Sequence, residues 1–460
     1  VSALAIEIND AGLVVADAGE VLAVEPGFAL VVREGVVTGS DARAQARLYP
    51  RRVSNRYWSD LSLEPASAGG DVDKNAAELA YAQLSGLWER FGAGRDDVLL
   101  VVPGHYRSEQ LGLLLGLAQE CGIPVRALVD SAAAASIRPY PEHQLVYVDA
   151  GLHRVSVTLL DQAGEVAVRE EHALTQMGLS GLADAFARRI AAAFVAGTRF
   201  DPFHHAETEQ QLYDRLPTWL SLLREQERAD FELEHDSDEY CVPIEREALL
   251  GVAAGFYRAV SQLVAQHRDP GHPLVVQVSD RLAALPGLVA DLGRLDDAVI
   301  ERLQIGCAAQ GAVRAPGIVR RTEHVKLLKR LPWRAPPSEV TARSARAVVE
   351  ELAPAGDRSP PTHLVYRGVA YRIDAAGIVV GREPVEGRRT IVVDDQTGGV
   401  SRAHCEVVFR DGELKLKDSS RYGTFVNERR IAGETVLERA DVIRIGSPGA
   451  SLQAVSLEAD

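Results

Sequence analysis

The 460-residue chain has little of what builds covalent or metal frameworks: four cysteines and one methionine. Cys121, Cys241, Cys307 and Cys405 stand singly, with no Cys-x-x-Cys pair, which argues against a disulfide framework or a thiolate metal site. Isolated thiols in apolar runs serve as small core fillers, and their pattern fits a reducing cytoplasm. No apolar run reaches the roughly 18 residues of a membrane span, and no signal-peptide pattern is visible. Residue 1 is Val and the sole methionine is Met177, which points to a trimmed start. Basic charge is also short. The net charge of −15 speaks against nonspecific binding to nucleic acid or anionic membranes, because phosphate backbones need clustered Lys and Arg. What is there is a globular composition, 46% hydrophobic and 25% charged, long enough for about three domains of roughly 150 residues. The Ala-, Arg- and Gly-rich usage points to a bacterial source.

Residues 1–330 alternate strand-like apolar runs (Ala3 to Ile8, Val98 to Val102, Leu145 to Val148, Val155 to Leu160, Leu274 to Val278) with helical patterns. The helices expected are Ala76 to Arg90, Ser108 to Cys121, Gly181 to Ala196 and Glu247 to Gln266. Mixed strands and helices over this length predict an α/β architecture. Residues 331–362 are punctuated by six prolines, from Pro332 to Pro361, and read as a linker with one short helix at Glu339 to Leu352. From 363 to 460 the pattern is all-β, with Asp411-Gly412 as the clearest hairpin turn. No internal repeat is visible in the sequence.

The last hundred residues carry the sharpest motif. Gly381-Arg382 is followed by Ser401-Arg402-Ala403-His404 and then by Asp418-Ser419-Ser420-Arg421-Tyr422-Gly423-Thr424-Phe425-Val426-Asn427. A phosphate dianion calls for a guanidinium that donates bidentate, charge-assisted bonds, and for short hydroxyl donors on rigid loops. Arg382, Ser401 and Arg421 are of those types, each just past a strand, where the loops of a sandwich carry binding groups. In order and spacing these blocks resemble the forkhead-associated (FHA) domain, a β-sandwich that reads phosphothreonine in partner proteins. The resemblance implies phosphate contacts from Arg382 and Ser401, bracing by His404, a tight turn at Gly423 and a backbone bond from Asn427. Arg402, Ser420, Arg421 and Tyr422 would complete the peptide-binding rim. Arg421 stands where many members carry a phosphate-binding threonine, and Tyr422 where they carry an asparagine that grips the peptide.

In the N-terminal region, four segments come in a telling order: AIEINDAGLVVA from Ala5, the stretch Leu99 to Ser136, LVYVDAGLHRVSVTLL from Leu145, and LVVQVSDRLAALPGLVADL from Leu274. Together with Gln176-Met177-Gly178-Leu179, they resemble the actin-like superfamily, most closely the nucleotide-binding domain of DnaK-type chaperones. Such a fold is a two-lobed, ribonuclease-H-like body in which two Gly-rich hairpins grip the phosphates and acids organise magnesium. Here Asn9 takes the place of the family's acid on the first hairpin. Asp10, next to it, is expected to face away on a strand. The second hairpin, Asp149-Ala150-Gly151-Leu152-His153, has lost most of its glycines, and Ser279-Asp280 replaces the paired glycines beside the base. Asp130 and Asp149 are the acids that remain. They are candidates for a catalytic magnesium site, or else residues that cap strands and helices; Asn9, Asp149, Gly151 and Ser279 are the candidate nucleotide contacts.

Weaker signals are the basic run Lys326 to Arg334, expected as a solvated helix end with partner docking as the alternative, and the acidic run Glu232 to Glu239, expected as a solvated loop or hairpin. The reading is a cytoplasmic adaptor. An actin-like pseudo-ATPase body carries an FHA domain that binds a phosphothreonine protein made by a Ser/Thr kinase, with no nucleic-acid or membrane partner. Two alternatives stay open: an active chaperone-like ATPase using ATP and magnesium, and an actin-like assembly scaffold.

Overall fold

The apolar runs at Leu4–Glu7, Val98–Val102, Gln144–Ala150 and Leu274–Val278 become strands in which every residue is buried in the computed structural model. Strands covered on both faces have no polar face to show, which is why they read as unbroken apolar runs. The structure describes the chain apart from residues 1–2, 65–73, 137, 237, 316–324, 334–360, 367–368, 375–376, 386–387, 394–399, 411–412, 421–422, 427–428, 432, 438–440, 447–448 and 456–460. It divides into two units, Val1–Ala345 and Arg346–Asp460.

The first unit holds two six-stranded sheets. The first lobe comprises β1 (Leu4–Glu7), β2 (Leu13–Ala16), β3 (Val21–Glu25), α1 (Ala76–Phe91), β4 (Val98–Val102), α2 (Ser108–Glu120), β5 (Val125–Asp130) and α3 (Ser131–Ala135). The second comprises β6 (Gln144–Ala150), β7 (Val155–Asp161), β8 (Glu165–Leu174), α4 (Leu179–Thr198), α5 (Ala206–Glu225), the hairpin β9 (Arg228–His235) and β10 (Asp238–Glu245), α6 (Arg246–Gln266), β11 (Leu274–Val278), α7 (Asp280–Ala283), β12 (Ala298–Arg302) and α8 (Cys307–Arg314). The strand orders match: β3-β2-β1-β4-β5 in one sheet and β8-β7-β6-β11-β12 in the other. In each, an antiparallel three-strand meander leads to two parallel strands reached through helices. The sequence showed no repeat, but the topology is repeated. Helix α5, which runs unbroken through Pro217, is not among the expected helices. The acidic run forms the end of the β9–β10 hairpin.

Side-chain alternation sets the layers. Leu4 and Ile6 of β1 face one cluster with α1 and α2, while Ala5 faces a second cluster that also takes Leu145, Tyr147 and Val275 from the other lobe. Ala132–Ala135 of α3 and Ala308, Ala309 and Ala312 of α8 fill that shared core. Alanine permits the close approach of two short helices wedged between sheets.

The basic run departs from expectation. It forms no helix; it makes β13 (Leu327–Leu328), parallel to β5, and then β14 (Arg330–Pro332), antiparallel to β8. Leu327, Leu328 and Leu331 turn inward, whereas Lys326, Lys329 and Arg330 stay exposed, so the charges decorate an edge segment that staples both sheets. Leu331 belongs to the shared core. The body therefore runs past the expected boundary at residue 330. The expected helix Glu339 to Leu352 lies outside the described residues.

The second unit pairs a six-stranded and a five-stranded sheet around one core that includes Leu364, Val380, Val407, Leu416 and Ile445. Its strands are β15 (His363–Tyr366), β16 (Val369–Arg372), β17 (Ile378–Gly381), β18 (Thr390–Val392), β19 (Cys405–Arg410), β20 (Glu413–Asp418), β21 (Thr424–Val426), β22 (Arg429–Arg430), β23 (Glu434–Leu437), β24 (Val442–Gly446) and β25 (Gly449–Val455). The sheets run β16-β15-β25-β24-β21-β22 and β18-β17-β19-β20-β23. The expected turn Asp411-Gly412 lies outside the described residues, but the strands it would join, β19 and β20, pair as a hairpin.

Candidate functional site

In the second unit, register gathers the motif. Val380 pairs with Cys405, and Cys405 with Asp418, so the end of β17, the start of β19 and the end of β20 lie at one edge of the sheet. The segments 381–383, 400–404 and 418–420, with Gly423, therefore emerge together. His404 is fully buried among them. Its Nδ1 accepts from the Ser401 N–H at 3.0 Å, and its Nε2 meets the Gly423 carbonyl at 3.0 Å. That pairing fixes a neutral ring protonated on Nε2. The His404 N–H donates to Val380 O and its carbonyl accepts from Ser419 N, so a single residue ties all three segments.

Glycine is demanded at two places. A Cβ on Gly381 would come within 2.0 Å of the Arg402 carbonyl, because segment 401–403 crosses directly over it. Gly423 has φ +91° and would meet the Arg430 guanidinium. The turn before it is closed by side chains: Ser420 N donates to Asp418 Oδ1, Gly423 N to Ser420 Oγ, and Thr424 Oγ1 to Asp418 Oδ1. Burial pushes the Asp418 carboxyl up, but the bonds from Ser420 and Thr424 outweigh it and hold Asp418 below the usual carboxylate range. On this scaffold Arg382 and Arg402 have side chains 40% and 75% exposed, and Ser401 is half-buried. Arg421, Tyr422 and Asn427 lie outside the described residues.

The expected nucleotide residues of the first unit are also drawn together, around a residue that no sequence motif marks. Arg281 leaves the start of α7 and sits between the lobes, its side chain 10% exposed. It donates to Glu7 Oε1 at 2.7 Å and Gly12 O at 3.1 Å in the first lobe, and to Asp149 Oδ1 at 3.2 Å in the second. Asn9 Nδ2 donates to Asp149 Oδ2 at 3.0 Å. Burial pushes Glu7 upward, and Arg281 counters it.

Asp10 does not face away. β1 ends at Glu7, so Asn9 and Asp10 lie in the turn, where strand alternation no longer applies. Asp10 Oδ1 accepts the Leu152 N–H at 2.7 Å and Oδ2 the Ser59 hydroxyl. Gly151 is required for this approach, since its Cβ would lie 2.3 Å from Asp10 Oδ1. The two hairpins thus bond to each other. The N-terminus of α4 is spent likewise, with Leu179 N and Ser180 N donating to Gly151 O and Leu152 O.

Ser279 is buried after β11, its backbone N–H bonded to Val148 O. Asp130 caps α3 by accepting from Ala132 N and Ala133 N. Its other oxygen makes no hydrogen bond and faces Gly104, whose Cβ would lie 3.0 Å from it and 2.4 Å from Glu171 Oε2. Burial and the charge of Asp130 push Glu171 up to about 7. Burial, with Arg154 nearby, pushes the adjacent His105 down to about 4.

Asp149 and Asp130 therefore take separate partners, and among the described residues no three His, Cys, Asp or Glu side chains converge as a metal site. These residues do not fit a magnesium nucleotide. The acid that would organise the metal is neutralised by a buried guanidinium, and the amides that would cradle phosphate already have protein partners.

Comparison with protein-family models matches residues 378–446 to the FHA domain. The match spans β17 to β24 and all three segments that His404 ties together. An FHA domain implies phosphothreonine-dependent interaction with proteins. No curated protein matches the chain. These comparisons lend no support to an actin-like or chaperone-type identity for the body.

Proposed function

We propose that the protein is a non-catalytic adaptor that binds a phosphothreonine-containing protein, the product of a Ser/Thr kinase, through segments 381–383, 400–404 and 418–423. The observation that carries this reading is the buried His404, which locks the three segments into one rigid rim with Arg382 and Arg402 turned to solvent. A preorganised rim loses less freedom on binding, and guanidinium groups suit phosphate. Arg382 and Ser401 contact the phosphate in this reading, with Arg402, Ser420, Arg421 and Tyr422 along the peptide. The role of the body is that of an actin-like scaffold without ATP turnover. The repeated strand order of its two sheets supports the fold, and the Arg281 bridge supports the loss of nucleotide chemistry. We place the adaptor in a bacterial cytoplasm.

The test is titration of the full-length protein with a phosphothreonine peptide pool and its unphosphorylated counterpart. The phosphorylated pool should bind, and Arg382→Ala should weaken it about tenfold or more, the range of a lost bond to a charged group. Equal affinity for both pools would defeat the proposal.

A further inference from the structure

The same rim carries a charge that works against phosphate. Two backbone bonds continue the pairing beyond β17: Arg382 N donates to Ser401 O at 3.2 Å and Glu383 N to Arg402 O at 3.4 Å. They set Glu383 beside both arginines. Its Oε1 lies 3.7 Å from Arg382 Nε and 3.4 Å from Arg402 Nε. One carboxylate oxygen thus faces two guanidinium groups that the proposed function gives to the ligand.

We propose that Glu383 competes with the ligand for Arg382 and Arg402 and sets an affinity threshold, since a ligand must displace it to engage both arginines. The inference rests on the phosphothreonine reading above. The side chains of Arg382, Glu383 and Arg402 are 40%, 50% and 75% exposed, so each pair is screened by water and individually weak. Weakness is what the role needs, because a buried pair could not yield. A phosphate carries about −1.5 to −2 charges at neutral pH and three strong acceptor oxygens. It makes more and stronger bonds to the two guanidinium groups than a single carboxylate does, and so displaces it. A ligand carboxylate has no such advantage, being the same chemical group as the one it must replace. Glu383 therefore lowers affinity for every anion by the same displacement cost, and sets a threshold that a strong acceptor such as phosphate clears while a weaker carboxylate ligand falls below measurable binding.

The experiment uses the full-length protein and Glu383→Gln, a near-isosteric change at a half-exposed position. Three peptide pools, with phosphothreonine, threonine or glutamate at the fixed position, are titrated calorimetrically against each form. Glu383→Gln should bind the phosphothreonine pool about fivefold more tightly, the upper range for exposed ion pairs. It should also bind the glutamate pool measurably where the wild type binds it poorly. Unchanged or weaker phosphothreonine binding by the variant, with the wild type binding, would show that Glu383 is neutral or orients Arg382, and would overturn the competitor role alone. Failure of both forms to prefer phosphothreonine would overturn the underlying reading, and this role with it. Glu383→Lys serves as the second variant and should exceed the glutamine form; a loss relative to wild type would also contradict the proposal.

Discussion

The interlobe cluster of the body and the rim of the FHA unit are made of similar parts: an arginine just past a buried strand, glycines where backbones cross, and polar side chains on neighbouring turns. They differ in what the arginine meets. Arg281 is spent internally on Glu7, Asp149 and Gly12, with its side chain 10% exposed. Arg382 and Arg402 are solvent-exposed and share a half-exposed glutamate. A guanidinium with buried partners holds lobes together; one with screened, displaceable partners can recognise an external anion. Residue type and position beside a strand do not distinguish the two cases, because the partners come from elsewhere in the chain.

The largest effect should come from breaking the internal arginine. Arg281→Ala leaves Glu7 and Asp149 as uncompensated buried charges and should cost about 3–5 kcal/mol. Denaturant unfolding of the full chain, with hydrogen exchange assigning the loss to β1 and β6, would check this. Combining Glu7→Gln and Asp149→Asn with Arg281→Met should recover most of the stability. If Arg281→Ala proved as stable as wild type, the bridge would not be what ties the lobes.

A second effect depends on pH. Glu171 is raised to about 7, so in the folded protein it keeps its proton where the unfolded chain has lost it. The stability it contributes is present at acid pH and lost as pH rises towards 7. His105, lowered to about 4, works the opposite way, its contribution being lost as pH falls below the ordinary histidine range. Wild-type stability therefore blends two opposing slopes, and a variant separates them. Glu171→Gln, which is neutral throughout, should gain up to about 3 kcal/mol over wild type at pH 8 and little at pH 4.5. The same gain at both pH values would mean that the carboxyl titrates normally.

A smaller loss is expected in the rim. His404→Ala removes the partners of Ser401 N and the Gly423 carbonyl and should cost about 2 kcal/mol. It should also weaken phosphopeptide binding although it touches no ligand. Full-affinity binding by His404→Ala would separate rigidity from recognition. Arg382→Ala completes the contrast with Arg281: it should weaken binding about tenfold or more while leaving the unfolding midpoint within the small range of surface substitutions.

Much of this was legible in the sequence where local pattern decides. The expected strands Val98 to Val102 and Leu274 to Val278 match β4 and β11, and the four expected helices fall within two residues of α1, α2, α4 and α6. The FHA motif could be read because its glycines, serine and histidine keep a recognisable order and spacing, although the contacts they serve join separate segments. Four features were hidden. Arg281 is a lone arginine after an apolar strand, and its partners lie more than 100 residues away. Asp10 was assigned a strand's alternation that had ended three residues earlier. The basic run 326–334 followed the charge signal, whereas its leucines decide the structure by joining two sheet edges. Helix α5 was obscured by Pro217 and a polar composition.

The central claim is that the FHA rim is open to an external phosphate while the body's cluster is closed to nucleotide. Calorimetric titration of the intact protein tests both halves, with a phosphothreonine peptide pool in one cell and ATP with magnesium in a parallel one. The account predicts heat of binding from the phosphopeptides and none from the nucleotide. Saturable nucleotide binding, or no preference for the phosphorylated pool, would contradict it.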